Sequence, residues 1–170
     1  MTPTNHRRSI GLREYDYSWS GWYYVTLCSY KQECVFGEVV DDLLELTREG
    51  KILEKEWLRT PGLRQGVELD EFVVMPNHLH GILIIGDTRR GVLQYAPTRE
   101  IQTKTGLHSP SQTLGAIVRG FKSTTAKQIN LLRGNPGIPV WQRNYYEHII
   151  RSDADLHHIR TYIHPVRYST

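Results

Sequence analysis

His78 and His80 are the side chains whose spacing points most directly to chemistry. They open an apolar, β-branched run, His78-Leu79-His80-Gly81-Ile82-Leu83-Ile84-Ile85, which follows Val73-Val74-Met75 and a Pro76-Asn77 turn. This pattern predicts strand, tight turn, strand, with the second strand buried in the middle of a sheet. Alternate residues of a strand share a face. Both imidazoles therefore project the same way with their rings close together, while Leu79 points into the core on the other side. Two neutral imidazoles held from one side suit a divalent cation. The plainer alternative is that the first histidine caps the turn and the second packs.

The remaining elements must hold that strand in place. Val67 to Met75 pairs with it, antiparallel because the connection is so short. Trp22 to Tyr30 is rich in aromatic and β-branched residues and reads as a further strand, with Val35 to Val40 as a short extension and Gly37 as a bend or bulge. Thr47 can cap a helix through Trp57, with Ile52, Leu53 and Trp57 at helical spacing and Pro61-Gly62 as its end. Ser111 to Leu132 is the longest helix, with an apolar stripe of Leu114, Ile117, Phe121, Ile129 and Leu132. Val140 to Arg151 is the last strand, with Tyr145 and Tyr146 as strand and core residues; His148 is read as lining the site, packing or capping. Ser152 and Asp155 resemble a capping box with the shorter carboxylate, opening a final helix through Leu156, Ile159, Tyr162 and Ile163 before Pro165. The order β, α, β, β, α, β with a terminal helix predicts a ferredoxin-like α+β sandwich around an antiparallel sheet.

At 170 residues the chain reads as one domain, 1–170, with an N-terminal arm over 1–20 and a polar, aperiodic loop over 86–110. No apolar run is long enough to span a membrane and the N-terminus lacks a signal-peptide core, so the expectation is a cytoplasmic protein whose Cys28 and Cys34 stay reduced. The net charge of +3 hides an asymmetry. Between Asp87 and Arg133 lie Arg89, Arg90, Arg99, Lys104, Arg119, Lys122, Lys127 and Arg133 against only Asp87 and Glu100. Arg119, Lys122, Lys127 and Arg133 share a broad face of the long helix, and the arm carries Arg7, Arg8 and Arg13 together with Tyr15, Tyr17 and Trp19. Basic residues with interleaved aromatics suit phosphates and stacked bases; the alternative is a solvated surface and an arm that simply packs.

Five stretches in order resemble one family. They are LREYDYSWSGWYYVTLCSY, FGEVV, ELDEFVVMPNHLHGILII, LGAIVRGFKSTTAKQIN and VWQRNYYEHIIRSDADLHHIRTYI. The chain resembles the REP-associated tyrosine transposases, single-tyrosine HUH nucleases related to small insertion-sequence transposases. The resemblance implies a single-stranded DNA endonuclease and strand transferase that uses Mg²⁺ or Mn²⁺ and acts on hairpins formed by repeats. His78 and His80 match the metal-binding pair, and Tyr162 matches the nucleophile that forms a 5′-phosphotyrosine. A phenol has a pKa near 10, so its ionisation must be assisted. From spacing alone, Tyr162 reads more readily as a packed aromatic, at helical spacing from Ile159 and one of ten tyrosines.

The chain departs from the family pattern after Tyr162. The family continues Tyr-Ile-x-x-Asn-Pro or with Gln, and the polar residue four positions on helps bind the metal. Here the chain reads Tyr162-Ile163-His164-Pro165-Val166, leaving Val166 at that position and His164 as a candidate third ligand. The departure sustains a second reading, a catalytically impaired or domesticated hairpin-binding protein of the same fold. A small-molecule metal hydrolase is a third, but it leaves the basic helix unexplained. The protein is expected to act as a monomer or homodimer on single-stranded or hairpin DNA.

Overall fold

A computed structural model describes residues 20–41, 43–86 and 113–163. Four strands form the central antiparallel sheet: β1 (Gly21–Cys28), β4 (Val67–Met75), β5 (His78–Ile85) and β6 (Tyr146–Ile150). Their order across the sheet is β4-β5-β1-β6. Between β1 and β4 lie a small hairpin of β2 (Gly37–Val40) with β3 (Leu43–Leu46), then helix α1 (Arg48–Leu58) and a single turn, α2 (Thr60–Leu63). Helix α3 (Leu114–Leu132) joins β5 to β6, and α4 (Asp153–Ile163) closes the described chain. The sheet with its two connecting helices is the expected ferredoxin-like α+β sandwich, and α4 adds a layer carrying Tyr162.

The side-chain alternation of β5 divides the interior into two cores. Leu79, Leu83 and Ile85 meet Tyr23, Val25 and Leu27 of β1, with Leu53 and Trp57 of α1 and Leu114, Ile117, Val118, Phe121 and Ile129 of α3 packed over them. On the opposite face Ile82, with Tyr24, Val73 and Ile150, receives Leu156, Ile159 and Ile163 of α4. Helices α1 and α3 thus cover one face and α4 the other. Gly81 follows the second histidine because a Cβ there would stand 2.4 Å from Cζ2 of Trp57. The indole lies directly against the backbone of β5.

Strand β4 holds its inward pattern through a bulge. Val67 and Leu69 face the same core as Phe72 and Val74, and the change of parity occurs where the register slips between Leu69 and Phe72. The extra residue lets Asp70 turn toward α4, where its Oδ2 accepts from Arg160 Nε at 2.8 Å and Nη2 at 2.7 Å.

Three expectations need correction. The last strand is Tyr146–Ile150 rather than Val140–Arg151. Trp141 bridges Ser29 and buries its ring between Phe36 and Phe121, and Lys122 takes up the carbonyls of Gln142 and Asn144, so 142–145 leave the ladder. Residues 43–46 form a strand that the sequence reading passed over. The chain also continues past Leu58 into the turn 60–63, with Pro61 in the first-turn position that proline tolerates. The Thr47 cap is as expected, its Oγ1 accepting from Gly50 N at 3.1 Å. The arm and the 86–110 segment lie outside the described residues, apart from Ser20 and Gly86.

Candidate active site

Register brings the polar residues of the α4 face together. Thr26 pairs with His80 on one side and Tyr146 on the other, while Cys28 pairs with His78. The two imidazoles project from the same face, ring centroids 4.4 Å apart, with their Nε2 atoms 2.9 Å from each other. His80 is 8% exposed.

Each ring is held through its other nitrogen. His78 Nδ1 lies 2.6 Å from Asn77 Oδ1, and Asn77 Nδ2 donates to the Gln32 carbonyl at 3.3 Å, which fixes the orientation of the amide. An amide oxygen only accepts, so His78 Nδ1 carries the proton. His80 Nδ1 lies 2.7 Å from Tyr24 Oη and 2.9 Å from Thr26 Oγ1. Burial pushes His78 below the usual histidine range. Burial, and then the charge of His78, pushes His80 down to about 4. Both rings are therefore neutral at neutral pH. Burial also pushes the Tyr24 hydroxyl up to about 12, with Thr26 lowering it and Tyr162 and Tyr146 raising it further. Tyr24 keeps its proton and serves as a hydrogen-bonding group.

The pair can be tested against a divalent cation directly. Two imidazole nitrogens bound at roughly 2.0–2.1 Å and subtending a right angle are themselves about 3 Å apart, and the Nε2 atoms stand at 2.9 Å. His78 offers an unprotonated Nε2, which without a cation accepts the Nε2 proton of His80 across that 2.9 Å; His80 offers its own Nε2 when its proton sits on Nδ1 and is given to either hydroxyl. The residues fit. Among the described residues no cluster of three or more His, Cys, Asp or Glu side chains surrounds a common point, so the pair supplies two ligands rather than a closed cage. His164, the candidate third ligand, lies outside the described residues.

Tyr162 reaches the pair from α4. Its ring meets that of His80 edge-on at 5.4 Å and is 61% exposed. Leu156, Ile159 and Ile163 form the buried stripe of the helix, and Tyr162 flanks it at the open edge. The helix is fixed at both ends. Ser152 Oγ accepts from Asp155 N at 3.1 Å, Asp155 Oδ2 pairs with His148 Nε2 at 2.9 Å, and Arg160 grips Asp70 while lying over the Trp22 ring. His148 is thus a capping partner of α4.

The basic residues of α3 are not brought to this site; they belong to a helix on the opposite face of the sheet. Lys122 donates to the Gln142 and Asn144 carbonyls at 2.9 Å each and lies over the Trp141 and Tyr145 rings. Burial pushes its ammonium down to about 8. Arg133 Nε is bonded to Glu49 Oε1 at 3.0 Å. These two side chains latch the fold instead of forming an open basic face: Lys122 serves carbonyls at 142–144 that no strand pairs, and Arg133 ties α3 to Glu49 of α1. Arg119 and Lys127 are exposed. Arg7, Arg8 and Arg13 lie outside the described residues.

Sequence reasoning missed Tyr24, Thr26 and Asn77 as members of the site and placed Tyr146 in the core. Tyr146 is 46% exposed, its ring edge-on to Tyr24 at 6.2 Å. The period of β1 could have put Tyr24 and Thr26 on one face, but only the register with β5 puts them against His80.

Comparison with known proteins extends these observations. No protein-family model matches the chain. Its fold is shared with a REP-associated tyrosine transposase solved bound to a REP hairpin, at a TM-score of 0.53 and 19% identity, over 85% of this chain and 64% of that one. The chain thus spans under two thirds of that transposase. Among the described residues no helix is long and apolar enough to cross a membrane. With 40% identity over 160 residues, 94% of this chain and 87% of the relative, the chain belongs to the same family as a Haemophilus influenzae protein described only as uncharacterized.

Proposed function

We propose that the protein is a metal-dependent endonuclease and strand transferase for single-stranded DNA flanking hairpin-forming repeats. The observation that carries this reading is the meeting of Tyr162 with the His78–His80 pair from a separate element. A hydroxyl nucleophile beside a pair of convergent imidazoles able to hold a cation is an arrangement that suits phosphodiester cleavage through a covalent tyrosine. The fold shared with a hairpin-bound transposase supports the choice of substrate.

In this reading His78 and His80 hold Mg²⁺ or Mn²⁺. A cation held there would supply Lewis-acid polarisation of a phosphoryl oxygen. Tyr162 stands exposed at the open edge of α4, where a phosphate can reach its hydroxyl. The phenol gives up its proton to solvent, its oxygen bonds to phosphorus, and the P–O3′ bond breaks. The departing 3′ oxygen takes up a proton, leaving a 5′-phosphotyrosine. Because one ester replaces another, a new 3′-OH can reverse the step and join strands. Phosphate contacts are assigned to Arg7, Arg8 and Arg13, and to the exposed Arg119 and Lys127 for a hairpin stem that reaches the other side of the sheet.

The test uses end-labelled hairpin oligonucleotides with single-stranded flanks, drawn from repeats near the source gene and incubated with Mn²⁺. A denaturing gel should show a covalent protein–DNA band with wild type and none with Tyr162→Phe, His78→Ala or chelator. Hairpin binding without a covalent band would replace the nuclease with the binding-only protein.

A further inference from the structure

We propose that Asn77 and the hydroxyl pair Tyr24–Thr26 are positioning residues for His78 and His80: Asn77 fixes the tautomer of the first ring, and the two hydroxyls hold the second ring with its Nε2 toward the same point. The inference rests on the reading of the two histidines as a metal pair.

A histidine ligates through an unprotonated nitrogen, and the partner of the other nitrogen decides which one that is. Asn77 does this for His78 without ambiguity. Its Oδ1, 2.6 Å from Nδ1, can only accept, so the proton is held away from Nε2. The amide cannot easily turn over, because Nδ2 is engaged with the Gln32 carbonyl. That carbonyl sits in a turn where Lys31 and Gln32 adopt φ of 54° and 60°, left-handed values that non-glycine residues avoid. Two such residues in succession beside a ligand pair are strain held where an orientation matters. Ser29 closes the turn, its Oγ donating to the Glu33 carbonyl and its N–H to that of Asn77.

His80 is served differently, by two hydroxyls within 3 Å of one nitrogen. Tyr24 Oη is 2.7 Å and Thr26 Oγ1 2.9 Å from Nδ1, and the two oxygens are 3.4 Å apart. Each hydroxyl can donate to Nδ1 or accept from it, so the pair holds this ring in either tautomer. The two side chains come from alternate positions of one strand, and Thr26 is the register partner of His80. The site therefore has one exclusive acceptor for the first ring and a redundant pair for the second.

This difference sets the experiment. Mn²⁺ binding to the full chain is measured by loss of the free-ion EPR signal, and the imidazole tautomers by long-range ¹H–¹⁵N NMR of the metal-free protein. Loss of an outer-shell partner typically lowers affinity about 10–100-fold. Asn77→Leu should fall in that range and lose the His78 Nδ1–H signal. Asn77→Asp, a stronger acceptor, should bind Mn²⁺ more tightly than wild type, which a merely structural role would not produce. Tyr24→Phe and Thr26→Val should each cost only a few-fold, and together about 10–100-fold. Tyr24→Phe/Thr26→Ser, which keeps one hydroxyl, should bind like Tyr24→Phe. The inference is overturned if the double Phe/Val variant, folded by its thermal transition, binds Mn²⁺ within twofold of wild type, or if Asn77→Asp and Asn77→Leu weaken binding equally. Should wild type bind no better than His78→Ala/His80→Ala, the metal pair itself is refuted and the inference with it.

Discussion

The two faces of β5 come from one run of eight residues and are built for different ends. Leu79, Gly81, Leu83 and Ile85 meet α1 and α3 in a close-packed core, and Gly81 has surrendered its side chain to Trp57. His78, His80 and Ile82 face α4, where the packing thins from Ile82 toward the histidines and ends at an exposed tyrosine. The first face is rigid because every position is filled. The second is placed by hydrogen bonds and by one helix with apolar residues on a single stripe. A strand that is immovable from behind can hold two polar rings at a fixed separation in front.

The contrast can be broken from behind. Trp57→Ala removes the largest fully buried side chain of that core and should cost about 3–5 kcal/mol, read as a lower urea midpoint. His80→Ala on the other face should cost about 1 kcal/mol or less, since Tyr24 and Thr26 still have each other. Equal losses would show that the two faces are not distinct in kind.

Lys122 tests the latch that separates the basic helix from the site. Lys122→Met strips a donor from two carbonyls and should destabilise by about 1–3 kcal/mol. The pH dependence has a definite sign. The folded protein holds this proton less tightly, near 8, than the ordinary 10.5 of the unfolded chain. The penalty for burying the charge is therefore present in full below pH 8 and is relieved as pH rises to 10.5, so wild type should gain stability relative to Lys122→Met across that window. Denaturant titrations at the two ends check it. A difference that stays flat would mean the ammonium is solvated.

Ser152→Ala is a change as small as His80→Ala. It removes the hydroxyl that accepts from Asp155 N and should cost about 1 kcal/mol while leaving Mn²⁺ binding by His78 and His80 unchanged. A loss of metal affinity would tie α4 to the front face more closely than its packing implies.

Much of this was legible before any coordinates. Period-two alternation placed both histidines and Leu79 correctly, because β5 is regular throughout and its turn is short. The Thr47 cap and the apolar stripe of α4 are local signals and were read locally. What could not be read depends on partners. The bulge at 70–71 is visible only against β5. The contacts of Tyr24 and Thr26 with His80 follow from inter-strand register, and the exposure of Tyr146 goes with its place at the start of the edge strand β6. The charge of α3 was plain, yet nothing in a helix's sequence says which face of a sheet it will cover or that two carbonyls will claim Lys122.

The central claim is that Tyr162 and the histidine pair act as one site. Its most direct test is to digest the covalent product formed on a hairpin oligonucleotide with Mn²⁺ and locate the nucleotide by mass spectrometry. The account predicts a 5′-phosphate on Tyr162 alone, and no adduct when both His78 and His80 are replaced by alanine. An adduct on Tyr146, or one on Tyr162 that survives loss of both histidines, would contradict it.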